Sequence, residues 1–253
     1  MLRIGIQLEP KRKALYEEAI RRLKHVTVTA EPHPDGRIID PLDAQSDHEI
    51  PCLVDEPERL GKDVLTECIQ ADRNFMPAHE WRFRPKVQPM HEALITGKLG
   101  KPGLMRLHDW SNGDVPLKQR MFGPIDLACW FFQSEPAACH SIQARGSLLC
   151  HLKFPNDGMA LVDVTKHSAG GSVYESIQLI GATGAAYGDD HHNTHLQFRN
   201  GGVSARIHHL DLVHGLMGMV SEFANGLLED RDWNVSLNDS ARVVQQMKGL
   251  ADG

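Results

Sequence analysis

Three histidines in the segment DDHHNTH form the densest group of possible metal ligands in the sequence. His191, His192 and His195 follow two carboxylates, Asp189 and Asp190. Two imidazoles with one carboxylate are a ligand set that suits Zn²⁺ or Fe²⁺. However, adjacent residues of a strand point to opposite faces, which separates His191 from His192. A polar segment without metal is therefore the preferred interpretation, and a zinc site is the alternative.

Composition and charge exclude several classes of protein. The 253 residues carry a net charge of -6, which argues against nucleic acid as a partner. The five cysteines are scattered without a C-x-x-C spacing, which is typical of reduced thiols in a cytoplasmic protein. No stretch is apolar enough for a signal peptide or a membrane span. We therefore expect a cytoplasmic protein without membrane contact.

Strands and helices alternate in the first third of the chain. A strand at 2–8 precedes a helix that begins at Pro10, and a β-branched strand follows at 26–30. The segment 31–49 holds three prolines and shows no periodicity, which predicts a loop. Further elements are a short buried strand in IPCLVDEP, a helix around 64–69, a strand at 74–78 and a helix from Pro85.

Six segments in the second part of the chain are typical of strands, and several of them alternate between apolar and polar residues. The predicted strands are 104–110, 137–144, 148–154, 159–167, 173–181 and 203–209. A helix at 125–132 is apolar nearly all round, and two amphipathic helices close the chain. This order predicts an α/β unit over 1–80 and a mostly antiparallel, open-faced sheet with helices over 81–253.

Several segments, taken in order, resemble the Gfo/Idh/MocA family of oxidoreductases. RIGIQLEP stands where that family has its first strand and glycine-rich turn, and LVDEPERL stands at its Glu-Lys-Pro motif. The further matching segments are FMPAHEWRFRPKVQPMHEALITGKLGKP, GPIDLACWFFQSEP, IQLIGATGAAYG and FANGLLEDRDWNVSLNDSARVVQQM. The resemblance implies a cut-down Rossmann-like domain followed by a sheet domain for substrate binding and dimerisation. Members are typically NAD(P)-dependent dehydrogenases of sugars and polyols.

The turn after the first strand departs from the family where a dinucleotide would bind. A glycine-rich turn lets the backbone approach the pyrophosphate at the start of the helix. Here the turn has no glycine, Glu9 brings a negative charge and Pro10 lacks an N–H. Only twenty residues separate Ala30 from Pro51, which predicts a shortened sheet. We therefore expect no cofactor; weakly bound NAD(P) is an alternative, and Glu31 is a weak candidate for the ribose-binding acid.

The residues expected to perform the family's chemistry are also replaced. The motif lysine corresponds to Glu56, and the Asp-x-x-x-His motif corresponds to Gln119 and Gly123. General acid–base assistance is worth about 10²–10⁴-fold in rate, so dehydrogenation by the usual route is not expected. No catalytic residue can be assigned in their place.

The resemblance also suggests where a small polar ligand would bind. His79, Glu80 and Arg82 fall in the segment that lines the family's substrate cleft, and Arg82 suits a carboxylate or polyol. Structural ion pairs explain the same residues equally well. Trp110 is a further candidate because its ring can stack on a sugar.

Two functions from different classes remain compatible with the sequence. The first is a sugar- or polyol-binding, oligomerising relative without dehydrogenase activity. The alternative is a carbohydrate-processing enzyme that depends on a metal or works with an intact homologue. Because three helices cannot cover both faces of six strands, we expect a homo-oligomer that pairs through the open face of the C-terminal sheet.

Overall fold

A computed structural model describes residues 1–46, 49–111, 114–166, 174–189, 194–199, 202–207 and 212–250. The chain forms two compact units. The first comprises Met1–Arg84 and Asp211–Val244, and the second comprises Pro85–Leu210 and Gln245–Gly253. The first unit thus combines an N-terminal and a C-terminal segment of the chain. Within the described ranges, no helix is both long and apolar enough to cross a membrane.

The first unit is built on a five-stranded parallel sheet with the order β2-β1-β3-β4-β5. Its strands are β1 (Leu2–Gln7), β2 (Val26–Val28), β3 (Gly36–Ile39), β4 (Cys52–Val54) and β5 (Phe75–Pro77). Its first two helices are α1 (Pro10–Arg21) and α2 (Lys62–Gln70). In the described part of the chain, β2 alone continues the sheet beyond β1 on one side. This agrees with the predicted cut-down Rossmann-like unit.

The prediction of a loop over 31–49 is wrong for Gly36–Ile39, which form β3. This strand lies between β1 and β4 and pairs in parallel with both. Ile38 and Ile39 are fully buried, one on each face of the sheet. Four residues are too few to show a period among prolines and acids, so the strand is recognisable only from its neighbours in the sheet.

Two hydrophobic cores cover the faces of this sheet. On one face, α1 and α6 (Leu212–Glu229) pack against β1 through side chains that include Tyr16, Ile20 and Phe223. On the other face, Leu65 of α2 and Leu237 of α7 (Leu237–Met247) pack near β4. Burial on both faces leaves only the ends of the strands accessible for chemistry.

The second unit contains an eight-stranded sheet with the order β13-β12-β11-β10-β6-β9-β8-β7. Its strands are β6 (Pro102–Ser111), β7 (Ala138–Ala144), β8 (Ser147–Lys153), β9 (Met159–Lys166), β10 (Tyr174–Gly181), β11 (Gly184–Asp189), β12 (Thr194–Arg199) and β13 (Gly202–Ile207). Only the β6–β9 pair is parallel. The mostly antiparallel sheet is confirmed, and β11 and β12 are additional strands where the sequence predicts none.

The second unit also contains three helices in the described part of the chain. They are α3 (Gln88–Ile95), α4 (Leu117–Arg120) and α5 (Phe122–Phe132). Nearly every residue of α5 is buried, as its apolar sequence predicts. On the opposite face of the sheet, Ile142, Leu149 and Met159 are 54%, 40% and 41% exposed. We call this surface the open face.

Candidate functional site

Charged side chains collect where the strands of the parallel sheet end. Glu9 follows β1, Asp40 follows β3, Asp55 and Glu56 follow β4, and Glu80 follows β5. The carboxyl ends of parallel strands form one edge of the sheet, and ligands of open α/β folds bind there. We call this group the carboxyl-edge cluster, and it is the candidate functional site of the first unit.

Asp55 is the buried centre of the cluster. It is 1% exposed and receives two hydrogen bonds from Arg12, from Nε to Oδ2 at 2.7 Å and from Nη2 to Oδ1 at 2.9 Å. The Tyr16 hydroxyl donates a third at 2.7 Å. Burial lowers the pKa of Arg12, but the hydrogen bonds and charge of Asp55 outweigh that effect and raise it. Burial and Asp55 together raise the pKa of Tyr16, so its hydroxyl stays protonated and donates.

Glu80 extends the cluster outwards from the buried pair. Its carboxylate lies 3.5 Å from Arg12 Nη2 and 3.6 Å from Arg84 Nη2. The guanidinium of Arg84 lies 3.7 Å from the ring centroid of Trp81, a cation–π contact. Alternating carboxylates and guanidiniums thus offer both acceptors and donors to a polar ligand.

Glu56, which the sequence resemblance aligns with the family's lysine, has a left-handed backbone conformation with φ of 44°. Its Oε2 accepts a hydrogen bond from Arg59 Nη1 at 2.7 Å, and the same nitrogen lies 3.2 Å from Asp40 Oδ2. The hydrogen bond with Glu56 is the main cause of a raised pKa at Arg59. A carboxylate is an acceptor of hydrogen bonds, whereas a lysine ammonium group presents three donors, so Glu56 offers acceptors where a lysine would offer donors.

The side chain of Glu9 caps the N-terminus of α1. The Glu9 carboxylate accepts hydrogen bonds from the backbone N–H groups of Lys11 at 3.0 Å and Arg12 at 2.6 Å. These donors are the groups that a helix N-terminus presents to a phosphate. In this arrangement, the residues of the turn do not fit a pyrophosphate in the usual position unless the Glu9 side chain moves away.

His79 and Arg82 face another part of the first unit. His79 is 2% exposed, and its Nε2 lies 2.7 Å from the Oγ of Ser240 in α7. Arg82 is 4% exposed and lies 3.5 Å from Asp239 of the same helix. Burial raises the pKa of Asp239, but the charge of Arg82 and a backbone hydrogen bond from Ser236 contribute to a net lowering. Of the three ligand candidates His79, Glu80 and Arg82, Glu80 is therefore the one that lies in the carboxyl-edge cluster.

The other candidate residues belong to other elements of the structure. Glu31 is exposed and pairs with Arg3 at 2.6 Å. Gln119, Gly123 and Trp110 belong to the second unit, on α4, α5 and β6. Trp110 donates from Nε1 to Asp163 at 2.6 Å.

The predicted metal ligands fall mainly outside the described residues. His191 and His192 are not described, and His195 is described only as a backbone position of β12. Elsewhere in the described ranges, no group of three histidines, cysteines or carboxylates could hold a metal ion. The zinc hypothesis stays a prediction.

Arg12, Tyr16 and Asp55 are the residues that reasoning from the sequence missed. One signal was present, because Asp55 directly follows a strand of three apolar residues. A charge at that point of a parallel strand lies at the ligand-binding edge. Nothing local connects Asp55 with Arg12, which is 43 residues away.

No family model matches the chain, and no curated protein matches its sequence. Solved structures do match over nearly its whole length. UDP-N-acetylglucosamine 3-dehydrogenase GnnA of Acidithiobacillus ferrooxidans has a TM-score of 0.78 at 14% identity, covering 98% of this chain and 96% of that one. An oxidoreductase of Agrobacterium radiobacter in complex with NAD⁺, L-tartaric acid and magnesium has a TM-score of 0.81 at 13% identity, covering 98% and 95%. A dehydrogenase of Chromobacterium violaceum has a TM-score of 0.80 at 11% identity, covering 98% and 94%.

These likenesses define the fold. The parallel sheet and the mixed, mostly antiparallel sheet match those of solved dehydrogenases. The chain has the two-domain fold of Gfo/Idh/MocA-type oxidoreductases.

The comparison also corrects the expectation that no cofactor is involved. A structure with this fold was determined in complex with NAD⁺, which points to nicotinamide dinucleotides as the cofactor class of the fold. The expectation relied on the missing glycines and the shortened sheet. However, the first strand, the turn and the first helix form here without glycine, because Glu9 and Pro10 start α1.

Proposed function

We propose that this chain is a sugar- or polyol-binding protein on an oxidoreductase fold, in which the family's usual acid–base route is absent. The observation that carries the proposal is Glu56. At the position of the family's lysine, it presents a carboxylate that is held by Arg59. The replacements at Gln119 and Gly123 support the same conclusion, because neither side chain can exchange a proton near neutral pH.

The ligand class follows from the chemistry of the carboxyl-edge cluster and from the fold's relatives. Asp40, Glu56 and Glu80 are partly exposed acceptors, and Arg59 and Arg84 are donors beside them. Hydroxyl groups both donate and accept, so a polyhydroxylated ligand suits this mixture. Two solved structures with this fold are a UDP-N-acetylglucosamine dehydrogenase and a complex with L-tartaric acid.

The chain's own groups would orient such a ligand without moving its protons. Glu56 would accept from a ligand hydroxyl while Arg59 keeps its carboxylate in place. Arg12 and Asp55 would hold the floor of the cluster rigid, because three hydrogen bonds converge on Asp55. A bound nicotinamide dinucleotide would supply hydride acceptor chemistry, but the lysine and histidine of the family's usual acid–base route are replaced here by Glu56 and Gly123.

Binding and hydride transfer can be measured separately. Calorimetry with a panel of polyols and aldonic acids should detect binding to the wild-type protein. Glu56→Gln should weaken it, whereas Glu67→Gln, at an exposed position of α2, should not. The absorbance of reduced nicotinamide should stay flat with NAD⁺ or NADP⁺ and any binding polyol. Turnover by the wild-type protein would refute the proposal, and so would the absence of polyol binding.

The cofactor is tested at the start of α1. Glu9→Gly removes the carboxylate from the N–H groups of Lys11 and Arg12 and should tighten NAD⁺ binding in calorimetry. Glu9→Gln keeps an oxygen for the cap but removes its charge, so its affinity should lie between those of Glu9→Gly and wild type. Equal affinities in all three proteins would show that the dinucleotide does not reach this helix.

We further propose that the chain forms a homo-oligomer through the open face. Exposed Ile142 and Leu149 are cross-strand partners on β7 and β8, so their side chains adjoin and form a small apolar patch. Exposed apolar side chains that adjoin in this way support an interface at this face.

A further inference from the structure

Two cysteine side chains meet on neighbouring strands of the second unit. Cys139 of β7 pairs in register with Leu152 of β8, and Cys150 pairs with Ser141. The two cysteines are therefore diagonal neighbours on the same face of the sheet. Their Sγ atoms lie 3.3 Å apart. Both thiols are free in this structure.

We propose that Cys139 and Cys150 are a redox modification site, which closes to a disulfide when the protein meets a two-electron oxidant such as hydrogen peroxide. A disulfide has a length of about 2.05 Å, so the sulfurs need to approach by roughly 1 Å. Diagonal neighbours lie about 7–8 Å apart, slightly beyond the roughly 6.8 Å at which the usual Cα separations of disulfides end, so closing the bond requires the backbone of one strand to move. The described sheet ends at β7, and a strand with one neighbour can make that movement with little disturbance.

The two thiols differ in a way that sets the order of reaction. Cys139 is partly exposed, whereas Cys150 is buried. Burial, together with the neighbouring Cys139 thiol, raises the pKa of Cys150. Because the thiolate is the reactive form, Cys139 reacts first with the oxidant and Cys150 acts as the resolving thiol.

The oxidation converts two thiols and one hydrogen peroxide into one disulfide and two molecules of water. The Cys139 sulfur attacks one peroxide oxygen, the O–O bond breaks, and the departing hydroxide takes the thiol proton as the first water. The product at Cys139 is a sulfenic acid. Cys150 then attacks that sulfur, the S–O bond breaks as the S–S bond forms, and the leaving hydroxide takes the Cys150 proton as the second water. Two thiols are oxidised and one peroxide is reduced.

The remaining cysteines provide internal controls. Cys52, Cys68 and Cys129 are all buried. Cys52 and Cys68 donate to backbone carbonyl oxygens, at 3.4 Å and 3.9 Å. Burial raises the pKa of Cys52 to about 12. The proposal therefore requires that the oxidant modifies Cys139 and Cys150 and leaves these three cysteines reduced.

Peptide mapping of the full chain tests it. The protein is treated with hydrogen peroxide, denatured, alkylated and cut with trypsin, which cleaves after Arg145 and so separates Cys139 from Cys150. Cys129 lies on the same tryptic peptide as Cys139, so fragmentation of the linked pair by mass spectrometry identifies which of the two is bonded. We expect one disulfide-linked peptide pair, three alkylated cysteines and reversal by dithiothreitol. Five alkylated cysteines after oxidation, or a disulfide between other positions, would overturn the proposal.

A variant and a structural measurement make the test sharper. In Cys150→Ser, the oxidised Cys139 lacks its resolving thiol, so a sulfenic acid should be trapped by dimedone. Hydrogen exchange of the β7 amides should slow several-fold in the oxidised wild-type protein, because the bond ties the edge strand to β8. Unlabelled Cys139 in the variant, with wild-type exchange unchanged by oxidation, would count against the pair.

Discussion

Asp55 shows how a single buried carboxylate organises its surroundings. It is almost fully buried, and Arg12 and Tyr16 together direct three hydrogen bonds to it. A buried ion pair of this kind contributes little by itself, but removing one partner leaves a charge without compensation. The consequence for stability can be measured.

Arg12→Met should destabilise the protein by roughly 3–5 kcal/mol, as expected when one partner of a buried ion pair is removed. The double variant Arg12→Met/Asp55→Asn should recover much of this loss, because it removes both charges and keeps an acceptor for Tyr16. Arg3→Met is the matched control at an exposed ion pair with Glu31 and Asp35, and it should cost far less, because solvent screens that pair. Urea denaturation gives all three values. Equal losses for Arg12→Met and Arg3→Met would contradict the interpretation.

His108 on β6 is a titratable group, and the direction in which its pKa changes on folding can be predicted. Its hydrogen bond with Asp163 raises its pKa, and burial opposes that effect. A raised pKa in the folded state adds stability that is complete below the unfolded value of about 6.5. That stability is lost as the pH rises through the folded-state pKa.

We expect the His108 ring to titrate above about 6.5 in an NMR pH series. Asp163→Asn should lower the midpoint, because it removes the charge that favours the imidazolium. His140 is an exposed histidine of the same sheet and serves as the reference signal. A midpoint for His108 that does not change in Asp163→Asn would show that the contact is absent in solution.

At the level of elements, the backbone at Leu99 packs closely against Gly181, the last residue of β10. A Cβ atom at Gly181 would lie 2.1 Å from the carbonyl oxygen of Leu99. A real side chain cannot occupy that space, because backbone rather than a flexible side chain blocks it. The turn around Leu99 therefore packs against the end of β10 only if that position is glycine.

Gly181→Ala should destabilise the second unit by roughly 1–3 kcal/mol, the usual cost of overpacking. Gly103→Ala provides a matched control on the neighbouring strand, since its Cβ would meet only the carbonyl oxygen of Ile180 at 3.7 Å. Thermal unfolding followed by circular dichroism would compare the two. If Gly103→Ala lowers the melting temperature as much as Gly181→Ala, the close approach is not the cause.

At the level of the whole molecule, the open face connects fold with assembly. Leu149→Lys should shift the protein from oligomer to monomer in light scattering at micromolar concentration, because it places a charge in the apolar patch. Leu149 is 40% exposed, so the substitution should leave the fold intact. Leu42→Lys changes a residue that is 76% exposed in the first unit and should have no effect. A monomeric wild-type protein would refute the proposed assembly.

Much of the fold could be predicted because its information is local. The apolar spacing of α1, the all-round apolar sequence of α5 and the alternation in β8 and β9 each fit one type of element. Together with the ordered motifs, they were enough to identify the two kinds of sheet. The replaced residues Glu56, Gln119 and Gly123 were equally visible, because identity alone shows which protons a side chain can move.

Only the tertiary structure decided which distant residues meet. Strand β3 gains its stability from pairing with β1 and β4, not from its four residues alone. Arg12 meets Asp55 because α1 follows β1 and Asp55 follows β4, and the carboxyl ends of these two strands lie at the same edge of the sheet. Cys139 meets Cys150 because the register of β7 against β8 places them diagonally on one face. Local spacing determines the face and type of an element, whereas strand order and register depend on packing across the whole chain.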